Sequence, residues 1–315
     1  MSWLGEGLRL WRKWREGGKR RASSKPTLAD SVRSALPPTE ELSVYPGDIQ
    51  LEAALESDVG CEREVNEDSG QVVRPDAPEL WSQKGLLVIV ADGVGGAAAG
   101  EVASRIATEQ IARVYYESAQ PPLQALKEAI HTANRKIYEA ARRNRALEGM
   151  GTTCVVLAIK GSQAYAAYVG DSRLYLVREG QIYLLTEDHS FVNEMVRRGL
   201  LTREQARQHE DRNLILRALG LQRELELTAW ERPLGVRVGD RYVLCSDGLY
   251  DLVEDELIKE AVLAWPPKEA CRQLVARARE RGGYDNITVA IVEVRSNQEA
   301  GRAATGGTSQ GEAAP

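Results

Sequence analysis

Apolar and polar positions along this chain alternate with two different periods, and the changes of period mark out its elements. Residues 86–90 (LLVIV) are an unbroken apolar run rich in β-branched side chains, which predicts a strand buried on both faces. Before it, residues 51–57, 59–65 and 69–73 read as short strands interrupted by charge. After it the spacing lengthens to three and four. Val102, Ile106, Ile111 and Val114 make one helical stripe, and Leu123, Leu126, Ile130, Ile137 and Ala141 make a second, with Pro121 and Pro122 between them. The two-residue period returns over 152–159, 163–169, 174–178 and 181–185, where Gly161 and Gly180 mark the turns of an antiparallel meander. Short helices are predicted over 191–198 and 202–208, and strands over 225–230 and 241–245. Helices over 255–264 and 268–281 and a strand over 287–294 close the pattern. Hairpins interleaved with helix pairs predict an α+β layered domain and do not suit a parallel βαβ sheet.

Both ends of the chain differ from this pattern. In residues 1–48, Trp3, Leu4, Leu8, Trp11 and Trp14 share one helical face, surrounded and followed by Arg9, Arg12, Lys13, Arg15, Lys19, Arg20 and Arg21. Such a basic amphipathic segment lies on anionic membrane surfaces or docks to a protein partner; the plainer reading is a solvated tail whose tryptophans pack on the domain. A Ser/Thr/Pro-containing linker over 22–46 leads to the domain, expected at 49–295, and residues 296–315 are expected to be a disordered tail. The whole chain of 315 residues is 43% hydrophobic and 28% charged, ordinary for a soluble protein. Its net charge of −5 argues against nucleic acid as a partner. There is no signal-peptide core, and no apolar run approaches the roughly 20 residues of a bilayer span. Cys61, Cys154, Cys245 and Cys271 lie far apart with no C-x-x-C pair, which suits a reducing compartment. A cytoplasmic monomer is expected.

The chemistry collects at the ends of the strands. Asp92 closes the apolar run, where a core does not tolerate an unpaired charge, and four glycines follow within eight residues. Gly93, Gly95 and Ala98 fit the loose G-x-G-x-x-A form of a dinucleotide loop, while Asp92 itself fits a ligand for a hard cation. An anionic Asp92 would repel a pyrophosphate, and the hairpins argue against the dinucleotide fold. Asp171, Asp247 and Asp285 also stand at strand ends among small residues, and Asp68 lies between two predicted strands. A single Asp-Gly is a turn by default. Several at the same end of apolar strands need a counter-ion, and oxygen ligands with only three histidines in the chain point to Mg²⁺ or Mn²⁺. Two such ions about 4 Å apart can activate a water for in-line attack on a phosphoryl group.

Eight segments in order then carry a resemblance: residues 57–69, 90–96, 149–153, 169–173, 185–190, 216–220, 244–249 and 283–288. They resemble the bacterial branch of the type 2C metal-dependent protein phosphatases and span about residues 49–295. The resemblance implies a four-layer α-β-β-α sandwich, two antiparallel sheets flanked by helix pairs, with metals at one end. It implies hydrolysis of phosphoserine and phosphothreonine in proteins, opposing a serine/threonine kinase; the alternative is a phosphoprotein-binding pseudophosphatase of the same fold, from which a lost ligand would be expected. Residue by residue, Asp92 would bridge two Mn²⁺ or Mg²⁺ ions, Gly93 would offer its carbonyl, and Asp247 and Asp285 would complete one shell. Asp171 with Asp247 would hold a weaker third metal. Asp68 and Glu67 match the acidic pair that orients metal-bound water, Asn286 would support the site from behind, and Arg63 would grip the phosphate. Val94 stands where eukaryotic members carry a histidine, and Ala97 where bacterial members often carry one, so no proton donor is assigned. Residues 188–224, rich in Arg and Glu, match a variable flap, and His189 within it is expected to pack or cap locally.

Overall fold

Successive residues of each central strand face different cores, and this alternation builds the layers. The computed structural model describes residues 49–95 and 99–297. In chain order its elements are β1 (Ile49–Asp58), β2 (Ser69–Val73), α1 (Pro78–Lys84), β3 (Leu86–Ala91), β4 (Gly93–Val94), α2 (Ala99–Glu117) and α3 (Pro122–Arg143). Then come β5 (Gly151–Thr152), β6 (Cys154–Lys160), β7 (Gln163–Val169), β8 (Arg173–Arg178), β9 (Gln181–Leu184), α4 (Phe191–Arg197) and α5 (Arg203–Arg207). The chain continues through β10 (Thr228–Ala229), β11 (Leu234–Gly235), β12 (Arg241–Cys245), α6 (Asp247–Tyr250), α7 (Asp255–Ala264), α8 (Pro267–Glu280) and β13 (Ile287–Ser296).

One sheet runs β1-β13-β12-β8-β9 and the other β10-β7-β6-β3-β2, with β11 also on β7, all antiparallel. Leu86, Val88 and Val90 of β3 meet Leu174, Leu176, Tyr242, Leu244 and Val292 in the core between the sheets. Leu87, Ile89 and Ala91 turn the other way, onto α2 and α3. On the far side, Val243, Cys245, Val289 and Ile291 pack against α7 and α8. The expected helix–sheet–sheet–helix layering is what forms, because every central strand carries apolar side chains on both faces.

Several elements differ from the sequence pattern. Residues 59–65 are a loop, because their backbone bonds to residues 283–286 instead of to a neighbouring strand. Only Thr228–Ala229 of the strand expected over 225–230 pairs. On α2 the fully buried face is Ala103, Ala107, Ile111 and Tyr115, with Val102, Ile106 and Val114 at its margins. Small residues let α2 lie close to α3, so the packing line follows alanines that an apolar-bulk pattern overlooks. The short helices α1 and α6 were not expected. Residues 1–48, where an amphipathic tryptophan face is expected, lie outside the described residues, as do Gly96, Ala97, Ala98 and residues 298–315; β13 runs to Ser296, two residues past the strand end expected at 294. Among the described residues no helix is long and apolar enough to cross a membrane.

At the sandwich end remote from the aspartates, Arg178 closes the core with a buried bidentate pair to Asp240, at 2.7 and 2.6 Å, and a 2.7 Å bond to the Gly235 carbonyl. Removing the carboxylate strands a guanidinium whose Nη1 already has no partner. Asp240→Ala is therefore expected to cost about 3–5 kcal/mol in urea unfolding, and replacing both partners by apolar residues to recover most of it.

Candidate metal centre

Five carboxylates reach one end of the sandwich from five separate stretches of chain. Asp92 follows β3, Asp171 follows β7, Asp247 opens α6 after β12, and Asp285 and Asp68 precede β13 and β2. Each approach is braced by backbone contacts. The Asp92 N–H donates to Thr153 Oγ1 at 3.0 Å, and its carbonyl accepts from the Thr153 N–H and the Thr152 hydroxyl, both at 2.8 Å. Gly93 has no room for a side chain: a Cβ there would lie 2.4 Å from the Gly100 carbonyl oxygen and 2.5 Å from that of Glu67. Gly248 is equally confined, with the Asn286 oxygen 2.1 Å from where a Cβ would stand.

Asn286 staples the rim. Its Oδ1 accepts from the Glu67 N–H at 2.7 Å, and its Nδ2 donates to the Val59 and Val65 carbonyls at 2.9 and 3.0 Å. These bonds fix the loop that carries Arg63, whose Nη2 reaches Asp285 Oδ2 at 2.7 Å. Glu67 points the other way and accepts from the Gly100 N–H at the start of α2, at 3.2 Å.

The electrostatics are unfavourable for free carboxylates. Burial, and then the neighbouring Asp247, Asp68, Asp171 and Asp285, hold the Asp92 carboxyl well above the usual range. Burial followed by Asp171 and Asp285 does the same to Asp247. Burial pushes Asp171 up to about 7 and Asp68 up to about 6, the latter despite a 2.7 Å bond from the Ser246 hydroxyl. Asp68 Oδ1 and Asp171 Oδ1 are buried without a hydrogen-bond partner. Like charges buried together, with orphaned oxygens, are the environment a cation relieves. Among the described residues no three carboxylate, thiol or imidazole groups stand close enough together to hold a metal ion by themselves.

Residues 66–288 match the protein phosphatase 2C family, well over half of the chain. The chain belongs to that family. It is 39% identical over 246 residues to the serine/threonine protein phosphatase PstP of Mycobacterium tuberculosis, covering 78% of this chain and 45% of that protein. It thus spans under half the length of that relative. With the serine/threonine phosphatase stp of Listeria innocua it shares 36% identity over 261 residues, 81% of this chain and all of the relative. The solved catalytic domain of PstP in complex with two manganese ions superposes with a TM-score of 0.68 at 36% identity, over 78% of this chain and 99% of that one. The α+β fold with antiparallel sheets is the family's.

The phosphatase 2C domain gathers the site residues singled out from sequence at one end: Asp68, Asp92, Asp171, Asp247 and Asp285, Gly93 beside them, Glu67 and Asn286 behind, and Arg63 at the rim. Sequence reasoning missed the bracing. Arg173 stacks 3.6 Å over the Tyr250 ring, forks onto Asp188 with Nη2 at 2.7 Å, and donates to the Tyr175 hydroxyl. Tyr250 in turn donates to the Asp171 carbonyl at 3.2 Å. Arg173 and Asp188 were within reach, since both lie in the ordered segments; Tyr250 carried no signal. In the expected flap, Arg197 and Arg198 pair locally with Glu194, while Arg212 reaches 3.8 Å toward Asp251, next to α6.

His189 caps, as expected, and does not join the carboxylates. Its Nδ1 accepts from the Gly170 N–H at 3.1 Å, which leaves the ring proton on Nε2, 2.9 Å from the Thr228 hydroxyl; the ring stacks on Tyr168. Burial, then Arg217, lowers its pKa to about 3. The unfolded chain protonates near pH 6.5 and the folded chain only near 3, so His189 favours folding above 6.5 and loses that contribution as pH falls through this window. In metal-free protein, the unfolding free energy is expected to fall by up to about 1.4 kcal/mol per pH unit from this group between pH 6 and 4. The carboxylates with raised pKa act in the opposite sense, so the comparison that isolates it is the slope of denaturation free energy in parent and His189→Gln.

Proposed function

We propose that this chain hydrolyses phosphoserine and phosphothreonine in proteins, using two Mn²⁺ or Mg²⁺ ions. The observation that carries the reading is the gathering of five carboxylates at one end of the sandwich, two of them, Asp68 and Asp171, buried with an orphaned oxygen each, in a family where the PstP catalytic domain was solved with two manganese ions. Asp92, the Gly93 carbonyl, Asp247 and Asp285 would hold the ions. Asp171 with Asp247 would offer a further position. Asp68, its second oxygen tied to Ser246, would orient water beside them, with Glu67 behind it. No member of the set is replaced, which leaves the binding-only pseudophosphatase reading without support.

When bound, such a pair of ions lowers the pKa of water and takes up charge on the transferring phosphoryl group. The chain supplies position. Arg63 is half exposed at the rim, and its planar fork suits two phosphate oxygens at once. The rim bonds of Asn286 keep that fork in register with Asp285. Val94 has no titratable group, so the leaving oxygen takes its proton from another source. Phosphorylated proteins, and a kinase that makes them, are the partners this chemistry requires. Cysteines that are all free among the described residues support a reducing, cytoplasmic setting.

Mn²⁺-dependent hydrolysis of p-nitrophenyl phosphate and of a phosphothreonine peptide is the direct test; a parent protein inert toward both with Mn²⁺ would sink the proposal. Asp92→Ala is expected to lower kcat at least about 100-fold, and Arg63→Ala to act mainly by raising KM. Metal stripping and refilling gives a reading independent of turnover. Mn²⁺ at about 100 times its Kd should stabilise the parent by about 2.7 kcal/mol, and Asp247→Asn should shrink that gain.

A further inference from the structure

Five large apolar side chains stand exposed among the described residues, and two of them, Val65 at 41% and Tyr284 at 56%, belong to the rim that holds the Arg63–Asp285 pair. Neither exposure reflects a slack loop. The Cys61 N–H donates to the Gly283 carbonyl at 2.7 Å, and Asn286 Nδ2 holds both the Val59 and Val65 carbonyls, so residues 59–67 and 283–286 form one stitched edge. The Tyr284 ring folds back over Gly282, where a Cβ would stand 2.2 Å from the ring Cζ; Gly282 also has φ +126°. The glycine leaves the space that the ring occupies. An aromatic ring displayed at the surface in a set orientation offers contact area at low entropic cost, as aromatic anchors of interfaces do. Gripping a bare phosphate requires none of this.

The neighbours narrow the occupant. Val65 lies two residues from Arg63, and Tyr284 is adjacent to Asp285. In an extended peptide whose phosphate is held by Arg63, a rise of about 3.3 Å per residue brings the adjacent side chains over this edge. Exposed Glu62 and Glu64 flank Arg63 in the chain, so an acidic neighbour would meet like charge. We propose that Tyr284 and Val65 form an apolar platform that binds a bulky apolar side chain immediately beside the phosphorylated residue of a protein substrate. This selectivity rests on the phosphatase reading above and gives it a substrate class.

The test uses the full chain with Mn²⁺ and three phosphothreonine peptides that differ only beside the phosphoresidue: Leu before it, Leu after it, or Asn at both places. At least one Leu peptide is expected to exceed the Asn peptide by about tenfold in kcat/KM, mainly through KM. In Tyr284→Ser and in Val65→Ser that ratio should fall toward one. Because the ratio is taken within a single preparation, any loss of folded protein cancels. A parent ratio near one, or a ratio that survives both substitutions, overturns the platform. p-Nitrophenyl phosphate, assayed in the same preparations, separates that result from failure of the phosphatase reading, which would show as no Mn²⁺-dependent turnover of any substrate and would overturn the platform with it.

Discussion

Mutual repulsion among buried carboxylates is the constraint that orders this end of the molecule. Burial and neighbouring charge both oppose the ionised forms of Asp92, Asp171, Asp247 and Asp68. Left to relax, such groups would swing apart or take up protons. The chain prevents the first by holding backbone instead of side chain. Thr152 and Thr153 clamp Asp92, Tyr250 holds the Asp171 carbonyl, and Asn286 ties the 59–67 loop to the segment that carries Asp285. Two carboxylate oxygens, of Asp68 and Asp171, are left unpaired, acceptors of the kind a divalent cation satisfies.

The two-sheet architecture makes the gathering possible. Asp92 and Asp68 belong to the sheet containing β3 and β2, Asp247 and Asp285 to the sheet containing β12 and β13, and Asp171 lies in the connection between β7 and β8, one strand from each. Neither sheet alone could assemble the group. Face-to-face packing through Val88, Val90, Leu174, Leu244 and Val292 sets the distance across which the two sets of carboxylates meet. Core packing and site geometry are therefore one problem in this fold. The buried Arg178–Asp240 pair secures the opposite end of the same strands β8 and β12.

Much of this was legible from residue patterns. β3, β7, β12 and α7 fall where periodicity puts them, since each carries an unambiguous apolar period and a clear stop. Elements that owe their form to distant partners were not legible. Residues 59–65 have the alternation of a strand, yet their hydrogen bonds go to residues 283–286, more than 200 positions away. The Asp247-Gly248 step looks like a turn and is the first turn of α6. α2 packs through Ala103 and Ala107, which carry little apolar bulk to mark a stripe.

The sequence by itself determined which residues could do chemistry. Aspartates recur at strand ends in an order that resembles a known family, and few histidines compete with them for a metal. The tertiary structure alone decided that these residues share one electrostatic environment, because mutual repulsion and burial depend on distances across two sheets. It also decided which bystanders matter. Ser246, Arg173 and Asp188 lie within the matched segments and Tyr250 outside them, but the bracing each performs exists only where folding places it against a carboxylate or its backbone.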